Sequence, residues 1–421
     1  MSDLRVDFQT MKELLLPLVS TEDGQVIACD ELVTSDLFSR VAMSLITEPG
    51  DRFAGALLEY LGATKFLSLL INQQPVEGLR QALNESGANS TFAIEDAFAS
   101  GLQELWVAGL ERYLPRLSLS GVKGSLATFS NLGGTLVWPN SRFFPRELDV
   151  LRWARPHLLW VRGNAEVLAF DNSCAIVGSR TATNYGTQLA AELATFAGEK
   201  NITTVSGGAF GIDALVHLAS LRNSAPTIAV MAGGLDQFYP RSNEPLFTEL
   251  LESNVIVAEV APGVTPAKWR FLQRNRIIAA LGQATVVVEA GHRSGSINTA
   301  KTALELQRPV GVVPGSVFWS TSVGCHRLLK EHPGEVQVVC NGRDLVHLVC
   351  PSGFELESIQ SLGVLETRAL DAFNGRPLAL GDVQRIAGLT FAETQLALGK
   401  LELSGHIVRH SLGYQKAGHT L

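Results

Sequence analysis

The sequence predicts an α/β protein in which a parallel sheet forms the core, a helical domain precedes it and a winged-helix domain follows. Three observations carry this. In the middle of the chain, short β-rich runs alternate with amphipathic helices, the pattern of βαβ units. Before it, apolar residues recur at three- and four-residue spacing. After it, three helical patterns run into a hairpin-like segment. A chain of 421 residues holds two to three domains, and the expected divisions are 1–120, 121–352 and 353–421.

Taken in order, residues 10–119 read as a small helical bundle, with Leu37, Val41 and Leu45, then Leu57, Leu58 and Leu61, on apolar faces. Breaks are expected at 48–51 (Glu-Pro-Gly-Asp) and over the polar run 84–91. An apolar lead-in follows, with Val137-Trp138-Pro139, Leu148, Leu151 and Leu158-Leu159-Trp160. Strands are expected at 174–177, 203–206, 227–231, 255–259, 285–289, 310–313 and 336–339. Helices fill 185–198, 212–222, 244–251, 270–281 and 296–306. The last part has helical patterns at 366–373, 380–387 and 391–404. Thr390 is placed to cap the third of these, with Glu393 completing a capping box. The run 407–414 reads as the hairpin wing.

Composition excludes several classes. With 46% apolar and 18% charged residues the chain can build large cores and is not of a disordered type. No run reaches the roughly 18 consecutive apolar residues of a membrane span, and a start carrying Asp3 and Asp7 does not read as a signal peptide. Five cysteines at 29, 174, 325, 340 and 350 lack CxxC spacing, which argues against a disulfide framework or a zinc site and fits a reducing cytoplasm. The net charge of −7 conceals an asymmetry. Residues 1–111 hold 17 Asp/Glu against 6 Lys/Arg, a net of −11, whereas 112–349 hold 17 against 22, a net of +5. Residues 350–421 sum to −1. The core alone carries a charge suited to a polyanion.

In open α/β sheets ligands sit beyond the carboxyl ends of the strands, and four segments there carry chemistry. The first is Gly178-Ser179-Arg180, pairing close backbone approach and a hydroxyl with a forked cation for phosphate. The second runs from Ser206 through Gly207, Gly208 and Gly211 to Asp213, offering backbone N–H groups to an anion. It lacks the Lys-Ser/Thr ending of a nucleotide-hydrolysing P-loop. The third carries Lys268, Phe271, Arg274, Asn275 and Arg276, with no acidic residue between 261 and 288. Charge beside an aromatic platform is how single strands are held. The fourth, Ser294-Gly295-Ser296, opens another helix, and Glu289 before it reads as structural. The bland alternative for the third segment is a solvated basic helix face with Phe271 turned inward.

Together these segments resemble the DNA-processing protein A family, DprA or Smf. The likeness runs through 175–180, 206–213, Tyr239-Pro240, Arg274-Asn275-Arg276-Ile277-Ile278, 288–290, 294–296, Pro314-Gly315 and Gly324-Cys325-His326. It implies an extended Rossmann-like core that binds single-stranded DNA, forms a homodimer and loads the RecA recombinase during natural transformation. It also implies no enzymatic activity, cofactor, metal or membrane association. Arg180 and Lys268 would hold phosphate and Phe271 would stack on a base. Arg274, Asn275 and Arg276 would line the same pocket, the first and last partly as structural anchors, Gly178, Ser179, Ser206, Gly207, Gly208 and Gly211 would shape it, and Ser294, Gly295 and Ser296 would close it. The competing reading is a nucleotide-processing enzyme of a related Rossmann-like fold, such as the phosphoribohydrolases with PGGxGTxxE; the comparable loop here, SGGAFGID, lacks that glutamate.

Overall fold

The computed structural model describes residues 6–87, 90–98, 101–350, 362–374, 376–410 and 412–417. The chain divides into two compact units, Met1–Pro351 and Ser352–Leu421. The expected boundary at 352/353 lies outside the described residues, as do Ser411 of the expected hairpin and residues 88 and 89 of the expected break. The expected border at 120/121 falls inside a helix of the first unit.

That unit begins with helices α1 (Phe8–Leu15), α2 (Thr21–Cys29), α3 (Glu31–Ile46), α4 (Arg52–Ile71), α5 (Val76–Ser86), α6 (Ser90–Ala97), α7 (Leu102–Tyr113) and α8 (Leu119–Asn131). Asp30 and Asp51 cap α3 and α4 by accepting two backbone N–H groups each. α4 has the length and apolarity of a membrane span, yet its backbone leaves the helical region at Gly62 and half of it is buried within the unit.

A nine-stranded sheet follows, in the order β1 (Thr135–Val137), β2 (Leu159–Gly163), β6 (Val255–Ala258), β5 (Thr227–Met231), β4 (Ile202–Ser206), β3 (Asn172–Val177), β7 (Ala284–Val287), β8 (Val310–Val312), β9 (Val336–Val338). Strands β3 to β9 are parallel and match the seven expected strands to within two residues; β2 runs antiparallel to both β1 and β6. The lead-in expected before the sheet therefore contributes two further strands. Its signal was masked by Trp138-Pro139 immediately after a three-residue strand.

Parallel strands covered on both faces should be apolar throughout, and β4 to β8 are buried at every position. Alternation sorts the side chains of the sheet onto two faces, which pack into three clusters. On one face Val161, Val177, Val230, Val257 and Val287 meet α12 (Lys268–Leu281) and α13 (Gly295–Glu305). On the other, Cys174, Ile176 and Val286 meet α9 (Asn184–Glu199), α10 (Ile212–Arg222) and α15 (Gly342–Val349). The remainder of that second face, Trp160, Met231 and Ile256, packs with Leu37, Phe66, Trp106 and Phe129 of the N-terminal helices and Phe247 of α11 (Glu244–Ser253). The ring of Trp160, fully buried, meets Phe129 edge-on at 4.9 Å. The acidic helices are thus a cover for one end of the sheet. Past β8, α14 (Val323–Glu331) buries Cys325, whose Sγ faces the carbonyl of Val287, while His326 Nε2 lies 3.1 Å from the Gly315 carbonyl; both are packing contacts.

The second unit holds α16 (Val364–Asp371), α17 (Leu380–Ala387) and α18 (Phe391–Leu403), then antiparallel β10 (Ile407–His410) and β11 (Gly413–Lys416). The capping box at Thr390 and Glu393 is formed in both directions. Its core is Ala369, Phe373, Val383, Leu398, Leu401 and Ile407.

Trp160→Ala should destabilise the Met1–Pro351 unit by about 3–5 kcal/mol, measured by denaturant unfolding. Helical and sheet signals should be lost in a single transition; two separated transitions would contradict the shared core. Two buried histidines predict an acid response. Burial and nearby Arg274 lower His217 to about 3, and burial with Arg40 and Arg276 lowers His157 to about 3. Each takes up a proton near pH 6.5 when unfolded but only near pH 3 when folded. The stability present above 6.5 is therefore lost as pH falls towards 3. His217→Asn should flatten this fall by up to about 1.4 kcal/mol per pH unit, and an unchanged slope would refute the assignment.

Candidate nucleic-acid interface

The sheet reverses direction beside β3. From β3 the chain steps to β4, β5 and β6 on one side, and it returns to β7 on the other. The loops leaving β3 and β7 therefore diverge, opening the crevice where doubly wound sheets bind ligands. A cleft of about 760 Å³ occupies this point.

One wall is a face of α12. Residues spaced three and four apart share a helix face, so Lys268, Phe271, Leu272, Asn275 and Ile278 all line the cleft. The four basic residues of this segment do not share a face, and the helix distributes them to four tasks. Lys268 is exposed at the cleft mouth. Arg270 turns to the Thr265 carbonyl and, at 3.4 Å, to Glu48 of the N-terminal helical region. Arg274 is buried beneath the glycine loop. Arg276 pairs with Glu259 through Nη2, 2.5 Å from Oε1 and 2.6 Å from Oε2, on the far side of the helix. The expectation that Arg276 lines the same pocket is corrected: it lines a different cleft, because two residues beyond Arg274 the helix has turned by about 200°.

The floor is built around Arg274. Its Nη1 donates to the carbonyls of Gly207 and Val230, both at 2.7 Å, and its Nε donates to Asn275 Oδ1. The Asp213 carboxylate accepts the Gly207 N–H at 3.2 Å. Burial raises the Asp213 pKa, against the pull of Arg274 and of backbone N–H groups from Ala209, Gly178 and Gly207. A Cβ on Gly207 would stand 2.3 Å from Arg274 Nη1, and one on Gly211, where φ is +74°, would stand 2.3 Å from the Ser179 carbonyl oxygen. These two glycines are required by close approach and, at Gly211, by conformation.

Other expected residues take distinct places. Ser179 Oγ donates to the Thr181 carbonyl and accepts the Thr181 N–H, a local turn that presents Arg180. Arg180 is exposed, with its guanidinium 5.5 Å from the centre of the Phe271 ring; that of Arg274 is 5.9 Å away. Gly178 lies against Ile212, admitting α10 close to the loop. Asn275 ties α12 to α13 through the Gly295 carbonyl and Asn298. Ser294 caps α13, its Oγ 2.6 Å from that of Ser296, and Gly295 is exposed at the helix start. Ser206 and Gly208 do not face the cleft. Ser206 Oγ donates to the Ile176 carbonyl between strands, and Gly208 abuts the Phe247 ring. Glu289 spends both oxygens on the Thr183 N–H and hydroxyl, holding the start of α9.

Two further residues stand beside these. Arg293 is exposed in the cleft wall, one position before a serine read as part of the site, so the same loop signal could have found it. Tyr239 is 47% exposed with its ring 5.5 Å from Phe271. It comes from the segment after β5, 32 residues before Phe271, and no local pattern links the two.

Fold and cleft together define a doubly wound α/β protein whose switch-point crevice is cationic and aromatic. Residues 135–349, just over half of the chain, match the family described as DNA recombination-mediator protein A, and the chain belongs to that family. The DNA processing protein DprA of Streptococcus pneumoniae is 39% identical over 203 residues, covering 48% of this chain and 70% of that one. A DprA of Mycobacterium tuberculosis is 41% identical over 259 residues, 59% of this chain and 66% of that one. The X-ray structure of the pneumococcal protein superposes with a TM-score of 0.57 at 27% identity, covering 77% of this chain and 99% of that one. The alignment with the mycobacterial relative thus spans about two thirds of its length.

The division between floor and rim is testable by thermal unfolding. Arg274→Ala strands the buried Asp213 and two carbonyls and should cost about 3–5 kcal/mol. Arg180→Ala at the exposed rim should change stability by less than about 0.5 kcal/mol. Similar small effects from both would refute the division.

Proposed function

We propose that this chain binds single-stranded DNA in the switch-point cleft and acts as a recombination mediator, protecting incoming strands and loading a RecA-type recombinase onto them in natural transformation. The observation that carries this reading is the charge of the cleft lining. Arg180, Lys268, Arg274 and Arg293 stand against a single carboxylate, Asp213, which is committed to a backbone N–H. Between the cations lies the half-buried ring of Phe271. Cations along a groove with a ring between them suit a backbone whose bases are free to stack, and a duplex keeps its bases covered.

The start of α12 supports the same reading. Its first turn carries Lys268 and Arg270 with no acidic residue, and Ala267 provides no side-chain cap. Cations at a helix N-terminus oppose the macrodipole, and uncapped N–H groups there lack partners. A phosphate satisfies both. The family's description as a recombination mediator supports a recombinase partner, and the homodimer is taken from the resemblance alone. Three helices followed by a hairpin support reading Ser352–Leu421 as a winged helix. Its −1 balance over 350–421 lacks a basic footprint, so the proposal assigns it no phosphate contacts.

Binding to an oligothymidylate should exceed binding to a blunt duplex and weaken as salt rises. Arg180→Ala and Lys268→Ala should each reduce the slope of log K against log salt by about 0.7. Phe271→Ala should cost about 1–3 kcal/mol of single-strand affinity. Equal affinity for blunt duplex, or unchanged affinity in both cation variants, would overturn the reading.

A further inference from the structure

A second cleft, about 1120 Å³, opens on the other side of α12. Its walls are the turn of 3-10 helix Arg146–Ala154, α4, and the seam between α12 and α13. The two clefts adjoin. Leu272, 49% exposed, lines both, and the seam beneath is closed by the hydrogen bond from Asn275, in the first cleft, to Asn298, in the second.

The lining of the second cleft is aromatic and arginine-rich. Trp153 stacks on Phe98 at 5.9 Å with the planes 8° apart, and Tyr60 meets it at 6.2 Å. Arg52 and Arg152 are exposed around these rings. Arg152 holds φ 50° and ψ −127°, a conformation costly for a residue with a side chain and found where surrounding structure imposes it. The imposition is visible. A Cβ on Gly55 of α4 would lie 1.8 Å from the Trp153 carbonyl oxygen, so α4 is pressed against this segment. The Asp149 carboxylate in the wall is already paired with Arg155. Of the four arginines lining the cleft, Arg155 pairs with Asp149 and Arg276 with Glu259, so Arg52 and Arg152 are its exposed cations.

We infer that a bound single strand leaves the first cleft over Leu272 and lays its following bases into the second, where Tyr60 and Trp153 stack them and Arg52 and Arg152 hold the backbone. The inference rests on reading the first cleft as a single-strand site. It gives the acidic N-terminal region a direct share in binding, through its Arg52 and Tyr60.

The test compares oligothymidylates of about 6 and about 20 nucleotides, with affinities for the full-length protein read by fluorescence anisotropy. Arg52→Glu combined with Arg152→Glu should weaken the long oligonucleotide by about tenfold and leave the short one unchanged. Arg152→Gly, which removes the side chain and relieves the backbone, should produce a smaller loss with the same length dependence. No loss at either length, or equal loss at both, overturns the inference. Arg180→Ala serves as the reference and should weaken both lengths. If it does so while the double variant keeps full affinity for the long strand, only the second-cleft inference falls. If Arg180→Ala and Lys268→Ala weaken neither, the first-cleft reading falls, and the inference with it.

Discussion

The guanidinium of Arg274 sits buried at the carboxyl ends of β4 and β5, where it donates to the carbonyls of Gly207 and Val230 and draws α12 against both strands. A charge placed there is tolerable only because its partners are complete. Burial and neighbouring Arg180 lower its pKa to about 10 while Asp213 raises it, so it remains a cation at neutral pH. Asp213 in turn accepts the N–H of Gly207, the residue whose carbonyl accepts from Arg274. The glycine loop is thus clamped from both sides, and Phe271, one turn before Arg274 on the same helix, is set above it. The shape of the cleft follows from this one buried cation.

Charge is organised at two scales. Overall the chain is acidic, with the excess confined to helices that cover one end of the sheet through Trp160, Phe129 and their neighbours. At the cleft the sign is reversed. Four cations there meet one carboxylate, and exposed charges more than about 8–10 Å away are largely screened. The acidic helical region also meets the basic segment directly, for Glu48, between α3 and α4, receives Arg270. Part of the positive run therefore joins the two halves of the unit.

Seven parallel strands and the helices between them were legible because period-two and period-3.6 patterns are local properties of the chain. The strands β1 and β2 were not, since three residues ending at Trp138-Pro139 show too few alternations to register. Glycine loops and the run from Lys268 to Arg276 marked the right end of the sheet. Not all of their residues reach the cleft. Ser206 became an interstrand clasp, Gly208 a packing position against Phe247, and Arg276 the partner of Glu259 on another face.

Sequence alone determined the α/β class, the order of elements, the family likeness and the concentration of cations and glycines at one edge. Which of those residues face the cleft was decided only by tertiary structure. A helix advances each side chain by about 100°, so the fate of every position from 268 to 276 depended on what packs around α12. That surrounding includes α13 and, far from it in sequence, β4, β5, the Arg146–Ala154 turn and Glu48. The same holds for Tyr239 and for the second cleft, whose arginines and rings come from segments about 100 residues apart. Local patterns cannot encode such meetings, because the free energy that selects them is released only when the separate elements bury one another.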